Sequence, residues 1–125
     1  MEPTQTSTRI AAILIETSRP EELAEFYRRG FDLTAPTYFG EDHLGFTLAN
    51  TYLGFDRNLA AAQAPPRNIS IWFYIQDIYA VFDRLLALGA RERSAPNAEE
   101  SPGEILATLY DPDGNVIGLI SQSDN

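Results

Sequence analysis

The stretch Thr108-Leu-Tyr-Asp-Pro-Asp-Gly-Asn-Val-Ile-Gly-Leu119 decides how this chain is read, because it has a shorter counterpart sixty-odd residues upstream. There, Thr47-Leu48, a turn and Leu53-Gly54-Phe55 match Thr108-Leu109, a longer turn and Ile117-Gly118-Leu119. Asp111-Pro-Asp-Gly-Asn115 carries proline and glycine where a turn with a left-handed residue needs them. Working outward from the two hairpins, each is preceded by a short apolar run, a polar cap and an amphipathic helix ending near glycine, Gly30 or Gly89. The runs are Ala11–Ile15 and Ile69-Ser-Ile-Trp-Phe-Tyr-Ile75. A unit repeated within 125 residues implies two supersecondary modules that bury a common surface. The reading is therefore one domain over 1–125: a first module at 9–57, an alanine- and proline-rich linker at 58–67, and a second module at 68–121.

Local signals place the elements. Arg9 to Glu16 reads as a buried strand. Ser18-Arg-Pro-Glu21 reads as a helix start with serine as cap, Glu21 as capping-box partner and proline in the first turn. Leu23, Phe26 and Tyr27 share one helical face, and Glu21, Glu22, Glu25 and Arg28 point away from it. Strands are expected over Phe31–Phe39, His43–Ala49 and Thr51–Arg57, the last two joined by a tight turn at Asn50. Asp77 caps a second helix with Ile78, Val81, Phe82 and Leu85 as its buried stripe. Strand structure resumes at Arg91–Ser94, Ala95–Pro102 reads as a polar loop, and Glu104–Tyr110 pairs with Val116–Ser121. Alternation in the second module's first strand separates Ile69, Ile71, Phe73 and Ile75, which belong under the helices, from Ser70, Trp72, Tyr74 and Gln76. The second set, with a tryptophan and a tyrosine side by side, fits a cleft wall better than open solvent.

Composition excludes several functions. With no cysteine, a disulfide framework, a thiolate metal site and a cysteine nucleophile are ruled out, and with no lysine so is Schiff-base chemistry. A formal charge of −9 argues against nucleic acid and anionic membrane as partners and is compatible with a cationic ligand. No apolar run approaches the roughly 20 residues that span a bilayer. The N-terminal Met1-Glu-Pro-Thr-Gln-Thr-Ser-Thr lacks the basic and apolar regions of a signal peptide, so a cytoplasmic location is expected. The eight glycines have no phosphate-cradle spacing, and neither a serine elbow nor a dinucleotide fingerprint is found.

The chain resembles the vicinal oxygen chelate superfamily, which includes glyoxalase I, extradiol dioxygenases, and the bleomycin and fosfomycin resistance proteins. The resemblance rests on Pro20-Glu-Glu-Leu-Ala-Glu-Phe-Tyr27, Ile75-Gln-Asp77 and Asp111-Pro-Asp-Gly-Asn-Val-Ile-Gly-Leu119, and spans about Arg9 to Ser121. It implies an α+β fold of two βαβββ modules, whose curled mixed sheets surround a ligand cavity usually completed by homodimerisation. In metal-dependent members the first and last strands of each module carry His, Glu or Gln ligands. Here those positions fall on Ala12, Gly54, Ser70 and Gly118. Alanine and glycine offer no side-chain donor and serine a poor one, so neither metal nor another cofactor is expected.

The single histidine, His43, lies outside those positions and reads as a surface or hydrogen-bonded residue. Two classes of function remain. In the first, the protein is a metal-free binder that sequesters an aromatic or cationic organic ligand. Trp72, Tyr74, Tyr52 and Tyr110 would stack on it, Ser70, Glu16 and Asp56 would make polar contacts, and Gly54 and Gly118 would form the cavity floor. In the second, it is a metal-dependent lyase, isomerase or dioxygenase whose metal sits in another register. Elemental analysis of the purified protein separates the two.

Overall fold

Each sheet turns one strand parity towards the helices, and the apolar residues follow that parity. The computed structural model describes residues 10–61, 69–99 and 102–122. In chain order the elements are β1 (Ala12–Thr17), α1 (Pro20–Gly30), β2 (Thr37–Tyr38), β3 (His43–Leu48), β4 (Thr51–Arg57), β5 (Ser70–Tyr74), α2 (Ile78–Ala87), β6 (Arg91–Asn97), β7 (Glu104–Tyr110) and β8 (Val116–Gln122). They form two four-stranded mixed sheets, ordered β1-β4-β3-β2 and β5-β8-β7-β6. In each, the first strand runs parallel to the last, and the other pairings are antiparallel. The βαβββ module is thus present twice, as expected.

Towards the helices the first sheet turns Ile13, Ile15, Leu53, Phe55, Leu44 and Phe46, and the second turns Ile71, Phe73, Leu109, Ile117 and Leu119. These residues meet Leu23, Phe26 and Tyr27 of α1 and Ile78, Val81, Phe82 and Leu85 of α2 in one core shared by both modules. Ile75 packs against the same core, but Ile69 stands largely exposed ahead of β5. The modules meet through their helices. Gly30 is buried at the end of α1, and a Cβ there would run into the Leu85 side chain of α2. Arg84 of α2 donates to the Gly30 carbonyl at 3.0 Å. α1 ends at Gly30 and α2 just before Gly89, as expected, and of the two glycines only Gly89 takes a left-handed φ, of +112°.

The Asp111–Asn115 turn is the second junction. Asp111 is buried, and its carboxylate accepts from the Tyr27 hydroxyl at 2.7 Å, the Asp113 and Asn115 amides and the Asn115 side chain. Asp113 accepts from Thr17 and Arg19 of the first module. A buried carboxylate needs such a set of donors, or its desolvation would be unfavourable by several kcal/mol, on the order of what an unpaired buried charge costs.

Several boundaries differ from the sequence reading. Ser18 does not cap α1: the cap position is Arg19, which makes no side-chain cap, and its amide donates instead to Thr17 Oγ1. Glu21 pairs with Arg57, so it does not close a capping box. Of the expected strand 31–39 only Thr37–Tyr38 forms, and Asp32, two residues after α1, takes a left-handed φ of +56° that breaks extension. Ala95–Asn97 belongs to β6, and residues 100 and 101 of the expected loop lie outside the described residues. So does most of the linker, although Asn58–Ala61 are seen to turn, with Ala61 donating to the Asn58 carbonyl. Asp77 caps α2 as expected, accepting from the Ala80 amide at 3.1 Å.

Candidate functional site

The hairpin of the first module is closed by a two-residue turn, Ala49-Asn50, which sets the β3–β4 register. Leu48 pairs with Thr51, Thr47 with Tyr52, Gly45 with Gly54 and His43 with Asp56. On the side of the sheet away from the helices this gives a row of three cross-strand pairs whose middle member is glycine on both strands. Glycine within a strand marks a place where another group approaches the backbone closely. Here that group is the Tyr52 ring. It lies across Gly45 and Gly54, and its hydroxyl reaches the far pair, where His43 Nε2 is 2.7 Å away. His43 Nδ1 is in turn 2.6 Å from Asp56 Oδ1. A Cβ on Gly54 would come within 2.7 Å of both His43 Cε1 and the Tyr52 ring. The result is a continuous Asp56–His43–Tyr52 chain lying flat on the sheet. Burial of the ring, with the Asp56 charge second, pushes the Tyr52 phenol above its ordinary value, so it stays protonated at neutral pH. Phe39 stands against His43 and edge-on to Tyr52, with centroids 5.7 and 6.4 Å away. Leu14 of β1 leans on Gly54 from the other side. Phe39 and Leu14 are 60% and 56% exposed, an apolar rim around the polar chain.

The outer face of the second sheet is built on the same plan with different side chains. Trp72 is level with Gly118, as Leu14 is with Gly54. Its indole lies on Gly118 so closely that a Cβ there would fall inside the ring, and Nε1 donates to Ser70 Oγ at 2.8 Å. Trp72 remains 43% exposed and Tyr74 76%. Thr108 stands where the first module has Gly45, Leu106 where it has His43, and Ile120 where it has Asp56. Tyr110 lies at the turn end of the same face with the Arg91 guanidinium 4.9 Å over its ring.

The site residues read from the sequence therefore fall into two groups. Ser70, Trp72, Tyr74, Tyr110 and Gly118 share the outer face of the second sheet. Glu16, Tyr52, Asp56 and Gly54 share that of the first, where Glu16 pairs with Asp56 across β1 and β4 and also accepts from Asn58. Among the described residues the two groups do not touch, because the modules meet through the helices on the opposite sides of the sheets. Nor are Gly54 and Gly118 an open floor: neighbouring rings occupy the space that their missing side chains leave. The hairpin match of Thr47 with Thr108 also shifts. The longer second turn pairs Tyr110 with Val116, so Tyr110 is the counterpart of Thr47, and Thr108 that of Gly45.

The sequence reads His43 as a surface or hydrogen-bonded residue, and it is hydrogen-bonded; what that reading misses is its place between Asp56 and Tyr52. Its signal lay in the register: counting back from Ala49-Asn50 sets His43 opposite Asp56, with only glycines between that pair and Tyr52. As for a metal, Ala12, Gly54, Ser70 and Gly118 bring a single side-chain oxygen, and Ser70 Oγ is engaged by Trp72. That donor set does not fit a divalent cation. Among the described residues no group of three or more His, Cys, Asp or Glu is arranged to hold one. A separate depression of about 270 Å³ lies at the opposite side, between Phe26 and Arg29 of α1 and Leu88, Gly89 and Pro112.

The chain belongs to the Glyoxalase/Bleomycin resistance protein/Dioxygenase superfamily, which its sequence matches over residues 9–119. Solved structures with the same fold include a glyoxalase-related enzyme from Fulvimarina pelagi, 19% identical, covering 91% of this chain and 88% of that one with a TM-score of 0.75. A glyoxalase/bleomycin resistance protein/dioxygenase family enzyme from Burkholderia phytofirmans is 18% identical, with 90% and 98% coverage and a TM-score of 0.77. The bleomycin resistance determinant encoded on transposon Tn5 is 20% identical, with 93% and 99% coverage and a TM-score of 0.66. These structural likenesses establish the fold, and the match over residues 9–119 establishes the superfamily. No curated protein matches the sequence.

Proposed function

We propose that this protein binds a small aromatic or cationic organic molecule on the outer faces of its sheets and sequesters it without a metal and without catalysing a reaction. The observation that carries the reading is Trp72. Its indole N–H is satisfied by Ser70 and its inner face by Gly118, so what it offers outward is a rigid π surface with no unmet hydrogen bond. Tyr74 beside it is largely exposed. Large aromatics in soluble proteins are highly buried on average, and an ordered, exposed pair is how a stacking site is built. The formal charge of −9 adds a general attraction for cations. The same four strand positions that lack metal donors support a binder over a metal-dependent lyase, isomerase or dioxygenase.

Sequestration also needs a second wall. Among the described residues each outer face is uncovered, and β1 and β5 are open edges of their sheets. A homodimer that lays a face of one copy over a face of the other would supply that wall and protect the edges. A cytoplasmic location belongs to the same reading; no helix among the described residues is long and apolar enough to cross a membrane. A thermal-shift screen of aromatic cations, anions and neutral compounds tests the proposal, since a binder at 100 times its Kd adds about 2.7 kcal/mol of stability. Hits expected among aromatic cations should depend on Trp72 and persist in chelator. Hits that vanish on chelation, or a stoichiometric transition metal retained through dialysis, would overturn it. Sedimentation at micromolar concentration should show a dimer; a strict monomer would remove the proposed second wall.

A further inference from the structure

With His43 as a neutral imidazole, the Asp56–His43–Tyr52 chain specifies which hydrogen-bonding partner it can accept. An ionised aspartate is an acceptor only, so the 2.6 Å contact to Asp56 Oδ1 requires His43 Nδ1 to be the donor. In an imidazolium Nε2 would donate as well and Tyr52 would turn its proton outward; in the neutral imidazole the one N–H is used by that contact. Nε2 is then an acceptor, and the 2.7 Å contact to Tyr52 requires the hydroxyl to donate its only proton inward. Tyr52 Oη is left with lone pairs to present. At the other end of the chain Asp56 Oδ2 is engaged by no partner among the described residues, and the Asp56 side chain is 37% exposed. Both ends of the chain therefore offer acceptors, one of them charged. Around them stand the exposed Phe39 and Leu14 side chains and the Tyr52 ring itself.

We propose that the outer face of the first sheet is an anchor for a cationic hydrogen-bond donor, a protonated amine or amidine on an apolar body, held by Tyr52 Oη and Asp56 Oδ2. An anion would meet only acceptors and a negative charge there. A neutral acceptor such as a ketone would find no donor. Phe39 and Tyr52 add ring faces on which a cation is favoured. The two glycines give the arrangement its geometry. With any side chain at Gly45 or Gly54, the Tyr52 ring could not lie across the sheet and reach His43. This inference rests on the reading that the outer faces bind a small molecule, and it names the polar element and the charge of what binds.

The protein has one histidine and one tryptophan, so the His43 Cε1–H and Trp72 Nε1–H proton resonances report the two faces separately. Benzamidinium and benzoate are titrated in parallel at fixed ionic strength, with benzyl alcohol as the uncharged aromatic. Benzamidinium should move the His43 resonance saturably, and benzoate at the same concentrations should leave it in place. Tyr52→Phe keeps the ring over Gly45 and Gly54 but removes Oη. Asp56→Asn removes the charge. Each should raise the apparent Kd for benzamidinium about tenfold or more, the scale of a hydrogen bond to a charged partner. The Trp72 resonance of each ligand-free variant should stay unchanged, as evidence that it is folded. Equal response to benzoate, or equal affinity in Tyr52→Phe, overturns the anchor. Movement at Trp72 with none at His43 overturns the anchor and leaves the wider binding proposal standing. Silence at both resonances with all three probes overturns both.

Discussion

The two outer faces are the same backbone carrying different side chains. In each, a glycine in the last strand, Gly54 or Gly118, is level with a large apolar residue of the first strand, Leu14 or Trp72. In the first module the glycine is doubled by Gly45, and the space goes to a polar chain of Tyr52, His43 and Asp56. In the second, the partner is Thr108, and the space goes to one indole. The inner faces hardly differ: Phe55 and Leu119, which follow the two glycines, are both fully buried. What the pair teaches is where freedom lies in a duplicated fold. The faces that pack against the helices are held to apolar residues in both copies, whereas the outer faces have been filled with unlike chemistry at matching positions.

That contrast can be broken at the inner face first. Phe55→Ala and Leu119→Ala should each destabilise the protein strongly in urea unfolding, by about 3–5 and 2–5 kcal/mol, the range for buried aromatic and leucine truncation. A much smaller loss at only one of them would mean that the inner faces are not equivalent. The junction between modules comes next. Tyr27→Phe removes the buried hydroxyl that donates to Asp111 at 2.7 Å, and should cost about 1.5–3 kcal/mol, as for other hydrogen bonds to charged groups.

The glycines sharpen the comparison at a smaller scale. Gly118→Ala puts a methyl group into the Trp72 ring, which must lift from the sheet, with a loss of about 1–3 kcal/mol by overpacking and a red-shifted tryptophan emission. Gly54→Ala meets His43, Tyr52 and Leu14 at 2.7–2.9 Å and should leave the emission unchanged. A red shift from Gly54→Ala would show that the two faces are coupled. The smallest expected effect is alkaline. Burial and the Asp56 charge raise the Tyr52 pKa, so the folded state holds that proton more tightly than the unfolded chain. The corresponding stability is complete below the ordinary tyrosine value of about 10 and is lost as pH rises through the folded-state value. The wild type should therefore lose more stability than Tyr52→Phe across that window. Parallel alkaline limbs would contradict the assigned environment.

Much of this was legible in the residues. The hairpin repeat, the stripe Ile78, Val81, Phe82 and Leu85, and the parity of β5 all follow from periodicity, which backbone geometry imposes directly. Less legible was whatever depends on a second strand or helix. Gly30 reads as a helix terminator by local rules, yet it is the point at which α1 and α2 approach. The segment 31–39 is apolar enough for a strand, but little of it finds a pairing edge. Tyr52 and Trp72 were readable as neighbours of one cavity because both have outward parity. Parity fixes the side of a sheet but not how two sheets face each other. His43 was within reach, since the register follows from a two-residue turn once its position is fixed.

The account's central claim is that the outer faces bind, with Trp72 as the stacking surface, and its most direct measurement is a fluorescence titration of that single tryptophan. Compounds that raise the melting temperature should change Trp72 emission saturably, with the same Kd that the thermal shift gives. Trp72→Ala should weaken their binding by about 1–3 kcal/mol, the scale of an aromatic anchor. Stabilising ligands that leave both Trp72 emission and the His43 resonance untouched, and bind Trp72→Ala as tightly as wild type, would contradict it.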